Sequence, residues 1–445
     1  MLFLIHCDQC EVEAGIQTSC AACNALHRAR SKKTEHWMPC IQPSFKLNTM
    51  VTYRAGNLRL TSRFDHTRMV DVPRARNLPF AQAPVFATIR MTQQYLCVQP
   101  MTLRVHYFDP LDTDKLHREY VNRGVPGVQR LPPVSLCDIV ETSMEFMRYV
   151  RAGALDGITL AAQKPDSNPT IRHIFSIIPQ HLNMLEDQEE KNFLTGVIQH
   201  WFAAMHGLGS ATLCPGPEGN ALNIIPINDY MPKFGLISVP RMIVAQFDSI
   251  RFATMFKGAQ HQILDRLQSK LLFNGKPQWF TVFLATFLIL NIVSCSSRDR
   301  YRYVRENSQG HRLETRYGEL NDPGTKNVED LHQSAALLLA HWNYFRRADF
   351  GGKMRGKGIA SMEQHERQII ERLKTEVENQ AGQIEKNPVT GFWESDLGWV
   401  SCMFAPPGTA GNSWLPPPIF DRAKPSVGRM DEIPLDQRPM PVGWL

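Results

Sequence analysis

The stretch Val328–Arg347, VEDLHQSAALLLAHWNYFRR, decides how the rest of the chain is read. Val328, Leu331, Ala335, Leu338, Trp342 and Phe345 step by three and four, so they share one face of a helix. Leu337, Leu339 and Tyr344 widen that face. Asn327 stands where an N-cap belongs, Asp330 sits in the first turn, and Arg346 and Arg347 suit the negative C-terminal end. Gly351 and Gly352 then stop it. His332 and His341 lie nine residues apart, half a turn out of phase, which rules out a local metal pair and makes one of them a core or interface histidine. Upstream, Trp279–Val293 (WFTVFLATFLILNIV) is apolar nearly all round, the signature of a helix enclosed by protein. Its fifteen residues, with Asn291 among them, are short for a bilayer span. The two segments are expected to be the central helices of one core, with no membrane partner.

Length and composition set the frame. A chain of 445 residues with 43% hydrophobic content buries a full core, and 30 prolines require many loops. A net charge of +6 permits contact with a polyanion without demanding it. MLFLIH has no basic flank and is too short for a secretory signal, so an intracellular location is expected. Cys97, Cys137, Cys214, Cys295 and Cys402 are scattered and read as small apolar residues in a reducing compartment.

The other five cysteines crowd the first 40 residues: Cys7-x2-Cys10, nine residues, Cys20-x2-Cys23, then sixteen residues to Cys40. Two such pairs place four thiolates where one tetrahedral zinc could be closed by the chain. Between Cys23 and Cys40, Arg28, Arg30, Lys32 and Lys33 form a local basic patch able to meet phosphates. Cys7, Cys10, Cys20, Cys23 and Cys40 are the candidate zinc ligands, and the four bases are the candidate DNA contacts. The alternative for the whole segment is a solvated cysteine-bearing arm.

Residues 49–134 change to short β-type runs. MVTYR, VFATIRMT and MTLRVHYFDP are rich in β-branched and aromatic residues, and the last alternates Leu103, Val105 and Tyr107 with Arg104 and His106. From Ser135 the period becomes helical. Ser135 is read as the cap of a helix through Val150 that Gly153 ends, and Ala154–Asp187 as irregular, with a turn in QKPDSNP. Helices follow over Glu189–Met205, from Pro240 to Leu272, and from a Ser361/Gln364 capping box to Ala381, whose apolar face is Met362, Ile369, Leu373 and Val377. Residues 406–445 hold nine prolines and form an extended tail. The fold class expected is α+β, mainly α. It comprises a cysteine-rich segment (1–48), a β-rich section (49–134), a helical regulatory-type core (135–405) and the tail.

FLATFLILNIVS followed by VEDLHQSAALLLAHWNYFRRADF resembles the C-terminal region of fungal zinc-cluster transcription-factor-like proteins, the binuclear six-cysteine group. Ser361–Ala381 and Gly391–Phe404 match its hydrophilic helix and aromatic-rich end, NTMVTYR and RFDHTRMVDV its link from cysteines to core, and HWMPCI a second cysteine stretch. The first cluster departs from the group's spacing, because its third cysteine would fall at Gln17 and five thiolates cannot supply six. The resemblance implies a nuclear transcription regulator with a zinc module that contacts DNA and a helical domain that serves regulation or protein partners. The same helical domain without DNA contact, as an interaction scaffold, is the alternative.

Enzyme motifs are missing. GLGSATLCPGPEG at Gly207–Gly219 lacks the Lys-Ser/Thr of a phosphate loop, the Gly-x-Ser-x-Gly elbow is absent, and GGKMRGKG at Gly351–Gly358 reads as a linker. An enzyme would need a site dispersed through the helical core.

Overall fold

In the computed structural model the described residues are 61–65, 68–71, 86–92, 99–107, 116–122, 125–165, 167–206, 211–214, 222, 237–240, 243–244, 246–247, 250, 260–272, 279–306, 334–335, 338–339, 341–342, 345, 363–380, 384, 395 and 397–404. The elements are strands β1 (Thr61–Asp65), β2 (Arg68–Asp71), β3 (Phe86–Thr92), β4 (Met101–Tyr107), β5 (His117–Asn122), β6 (Val125–Arg130) and β7 (Val134–Leu136), then helices α1 (Ile139–Gln163), α2 (Pro169–Met184) and α3 (Gln188–His206). After β8 (Thr212–Leu213) and β9 (Ile237–Ser238) come α4 (Gln260–Leu272), α5 (Trp279–Glu306), α6 (Gln364–Asn379) and α7 (Gly398–Ser401). Residues 334–335, 338–339, 341–342 and 345 are also helical. The class is mainly α with a smaller β part, as expected. Two compact units divide the chain, one holding Tyr53–Pro165 and Ile198–Ala259, the other Asp166–Val197 and Gln260–Val427.

The first unit carries the strands. Its main sheet is antiparallel in the order β7-β4-β3-β8-β9, and β1–β2 and β5–β6 are separate hairpins. The alternation read in MTLRVHY holds over Met101–Val105, where Met101, Leu103 and Val105 are buried while Thr102 and Arg104 face out. It stops at His106 and Tyr107, which are both half-buried. Helix α1 packs on β4, where Glu145 accepts the Thr102 N–H at 2.9 Å and Glu141 pairs with Arg104 at 3.0 Å. The buried Gln246 side chain accepts the Leu136 N–H at 2.8 Å and fixes β7 to the helical residues 246 and 247.

The start of α1 corrects the sequence reading. Ser135 lies in β7 and its hydroxyl is 3.0 Å from His106 Nε2, so the cap falls to Asp138, which accepts the Glu141 N–H at 2.8 Å. Nor does Gly153 end the helix. Val150, Ala154 and Ile158 continue the apolar face, and Gly153 and Gly157 lie on the same inward side. Burial of that face outweighs about 1 kcal/mol of lost propensity per glycine. The turn in QKPDSNP is where it was expected. The rest of Ala154–Asp187, read as irregular, is helical to Gln163 and again over Pro169–Met184, because buried apolar residues continue the helical period on both sides. Asn168 caps α2 by accepting the Thr170 N–H at 2.9 Å, with Pro169 at the first helical position.

The second unit is helical. Ile174, Phe175, Ile178 and Leu182 of α2 are buried, although Pro179 removes a ladder hydrogen bond. Gly196 of α3 faces Ile263 of α4, whose Cγ1 would meet an added Cβ at an ordinary contact distance of 4.0 Å. Leu373 and Val377 are the buried residues of α6, while Ile369 is half-buried. The first residue before α6 is Glu363, two residues beyond the predicted cap, and Glu366 accepts its N–H at 3.0 Å.

Helix α5 is the axis of this unit, and every residue from Trp279 to Ser294 is buried. The helix is longer than the fifteen-residue apolar run: it has 28 residues, and the window Trp279–Ser296 is long and apolar enough to cross a membrane, so length alone does not exclude a span. What assigns it to the core is that 94% of that window is enclosed by protein.

Candidate functional site

The quoted stretch and α5 meet through their aromatic rings. Trp279 stacks on Phe345 at 4.2 Å and meets Trp342 edge-on at 5.6 Å, and Phe283 stands 6.0 Å from both Trp342 and Phe404. Spacing by three and four made this possible: Ala335, Leu338, Trp342 and Phe345 turn one face inward, and Ser334, Leu339 and His341 are buried beside them. His341 is therefore the core histidine that the half-turn offset called for. The indole N–H of Trp342 donates to the Met403 carbonyl at 3.1 Å, and the Trp399 N–H donates to Ser294 Oγ at 3.3 Å. The aromatic-rich end at 397–404 is thus tied to both central helices.

Beside this cluster, three helices converge on His181 of α2. Its Nε2 lies 2.9 Å from Thr281 Oγ1 of α5, its Nδ1 lies 3.8 Å from Glu366 Oε1 of α6, and its ring meets Phe280 edge-on at 4.9 Å. Hydroxyl, imidazole and carboxylate stand in the order of a hydrolytic triad. However, Thr281 is fully buried and 3.8 Å is too long for a hydrogen bond, so this is a clamp between helices. Burial, helped by the nearby His365, pushes His181 down to about 4, and burial raises Glu366. At neutral pH the imidazole is uncharged and makes no ion pair with Glu366.

A second polar contact is charged. Glu190 of α3 and Lys270 of α4 form a largely buried ion pair, and the Lys270 ammonium sits 5.2 Å from the centre of the Phe193 ring. At the outer end, Asn168 and Gln380 are joined at 2.7 Å, and Gln380 donates to Thr170 at 2.9 Å, closing α6 onto the start of α2. Sequence reading found none of these partners. They are far apart in the chain, and a lone histidine or lysine in a helical pattern carries no signal of what faces it.

In the strand-bearing unit, burial also pushes His200 down to about 4. His181 and His200 together set an expected pH dependence. Both have folded values below the ordinary 6.5, so the unfolded chain takes up protons more readily. Their contribution is complete above pH 6.5 and is lost as pH falls towards 4, at roughly 2–3 kcal/mol each. Glu366, raised in the fold, opposes this by gaining stability as pH falls. Urea midpoints between pH 7 and pH 5 should fall in the wild type and fall less in His181→Gln. An identical fall in both would contradict the assignment.

The candidate zinc ligands Cys7, Cys10, Cys20, Cys23 and Cys40 and the candidate DNA contacts Arg28, Arg30, Lys32 and Lys33 all lie outside the described residues. Among the described residues, no group of three or more His, Cys, Asp or Glu is placed to hold a metal. Cys137, Cys214 and Cys295 are half-buried, Cys402 is buried, and none forms a disulfide. Burial pushes the Cys137 thiol up to about 11 and also raises Cys214, which keeps both protonated and poorly nucleophilic.

Among the described residues, the polar contacts of Gln246, His181, Asn168 and Glu190 join helices and strands to one another. The sequence matches the KpeA transcription factor family over residues 56–404, most of its length, and the chain belongs to that family. The match takes in the strands, the aromatic cluster and the His181 clamp, and ends at Phe404, whose ring packs on Phe283. No curated protein and no solved structure matches the chain.

Proposed function

We propose that this transcription-factor-like protein is a nuclear regulator of the fungal zinc-cluster type. In this reading its N-terminal segment binds zinc and touches DNA, and its helical part engages protein partners. Membership of a transcription factor family carries the proposal. Cys7, Cys10, Cys20 and Cys23 would hold the metal, with Cys40 as a further thiol. Two Cys-x2-Cys pairs are the donor chemistry that a structural zinc takes. Zinc in such a site supplies folding energy to a segment too short to bury a core. Arg28, Arg30, Lys32 and Lys33 would then meet phosphates in a fixed register.

Salt dependence tests the DNA part. Four phosphate contacts give a slope of log affinity against log salt of about −3 to −4 on duplex DNA. Replacing the four bases together with alanine should flatten it. An unchanged slope would remove this segment from the interface.

A second reading has one observation in its favour. The family match starts at residue 56, downstream of every candidate zinc ligand and base. If the matched region carries the function alone, the protein is an interaction scaffold. Duplex binding should then be weak, vanish with salt and be insensitive to the N-terminal bases.

A further inference from the structure

The two helices that enclose His181 differ in how firmly they are themselves held. Every residue of α5 from Trp279 to Ser294 is buried, whereas the buried residues of α6 are Leu373 and Val377. Along α2 the contacts of α6 are polar. His173 and His181 meet Glu376 and Glu366 in reverse chain order, at 3.6 and 3.8 Å, so the two helices run antiparallel. Gln380 closes one end of the seam on Asn168 and Thr170.

Both carboxylates are committed within α6. Glu366 accepts the Glu363 N–H at 3.0 Å in the capping box, and Glu376 accepts the Arg372 Nε–H at 3.0 Å. The Nδ1 atoms of His173 and His181 are buried and have no hydrogen-bond partner among the described residues.

The two sides of the His181 ring are not equivalent. On the α5 side Nε2 lies 2.9 Å from Thr281 Oγ1, and Phe280 meets the ring edge-on. The α6 side supplies the charged and titratable groups that face it, Glu366 and His365, with Glu363 paired to His365 at 3.1 Å. A second proton would sit on Nδ1, 3.8 Å from a carboxylate that already caps its own helix. A buried cation with an unmet N–H is costly until water reaches it. Water enters only if one wall moves, and α6, with two buried side chains, moves at less cost than α5.

We propose that α6 is a detachable strap on α2, released when His181 takes up a proton. Release uncovers the α2 face that carries His173 and His181, and draws Leu373 and Val377 out of the core. The sign of the linkage agrees. Docked, His181 is held down to about 4 by burial and by the nearby His365, against an ordinary 6.5, so the released form takes the extra proton between those values. Docking is therefore fully favoured above pH 6.5 and weakens as pH falls towards 4. Glu366, raised by burial when docked, pulls the other way, because its release gives up a proton.

Hydrogen exchange of the full chain at pH 7 and pH 5.5, corrected for intrinsic rates and read by mass spectrometry, tests this. Protection of α6 should fall severalfold at the lower pH, with about tenfold as the ceiling set by His181, while α5 keeps its protection. His181→Gln should show no such fall. Glu366→Gln keeps an acceptor for the Glu363 N–H but does not titrate, so its fall in α6 should be at least as large as that of the wild type. That variant also decides the matter should His181→Gln not fold. Equal α6 protection at both pH values in the unaltered chain would overturn the proposal. So would a fall shared equally by α5, which marks unfolding of the whole unit, or one that persists in His181→Gln or disappears in Glu366→Gln.

Discussion

Trp342→Ala should lower stability by about 3–5 kcal/mol, the cost of removing a buried tryptophan from a packed core. Trp342 touches Trp279, Phe283 and Phe345, and its indole N–H holds the Met403 carbonyl. The substitution therefore leaves a cavity against α5 and orphans a carbonyl that anchors the aromatic-rich end. Trp342→Phe keeps most of the ring and loses only the hydrogen bond and part of the volume, so a cost nearer 1–2 kcal/mol is expected. Urea unfolding of the full chain, followed by far-ultraviolet circular dichroism, reads both. An alanine variant within about 1 kcal/mol of the wild type would mean that the central helices do not depend on this contact.

Breaking the Glu190–Lys270 pair should cost a similar amount. Removing one partner leaves the other charge largely buried, which typically costs about 3–5 kcal/mol. Lys270→Met is the sharper choice, because the methionine fills the space over Phe193 while Glu190 loses its counter-ion. Glu190→Leu added to it removes the orphaned charge. The double variant should then regain most of the loss, and a double-mutant cycle isolates the coupling. Equal stability of the Lys270→Met and double variants would show that Glu190 finds water or another partner. The pair would then not hold α3 to α4.

The fold was legible where period and burial agree. Trp279–Val293 is apolar nearly all round and became the buried axis, and the spacing of Ala335, Leu338, Trp342 and Phe345 put them on one inward face. Alternation along Met101–Val105 marked a half-buried strand. Errors arose where one residue had two roles. Ser135 has the chemistry of a cap but spends its hydroxyl on His106, and Gly153 has the chemistry of a stop but faces the core. The β5–β6 hairpin went unread because Glu119, Asn122 and Pro126 break any alternation, and β8 and β9, at two residues each, are too short to leave a pattern. The His181 clamp was invisible for a different reason. Its partners Thr281 and Glu366 come from two other helices, and only packing brings them together. For the proposed zinc module the sequence supplies the donor types and their spacing, and those residues lie outside the described ones.

In the proposed function, Cys7, Cys10, Cys20 and Cys23 act as one structural zinc site. Metal content of the purified full chain tests it directly, with Cys7→Ser and Cys20→Ser beside it. About one zinc per chain, lost in both variants, is the result expected of a four-thiolate site. No bound zinc, or zinc that survives both substitutions, would contradict it and leave the helical units as the working part of the protein.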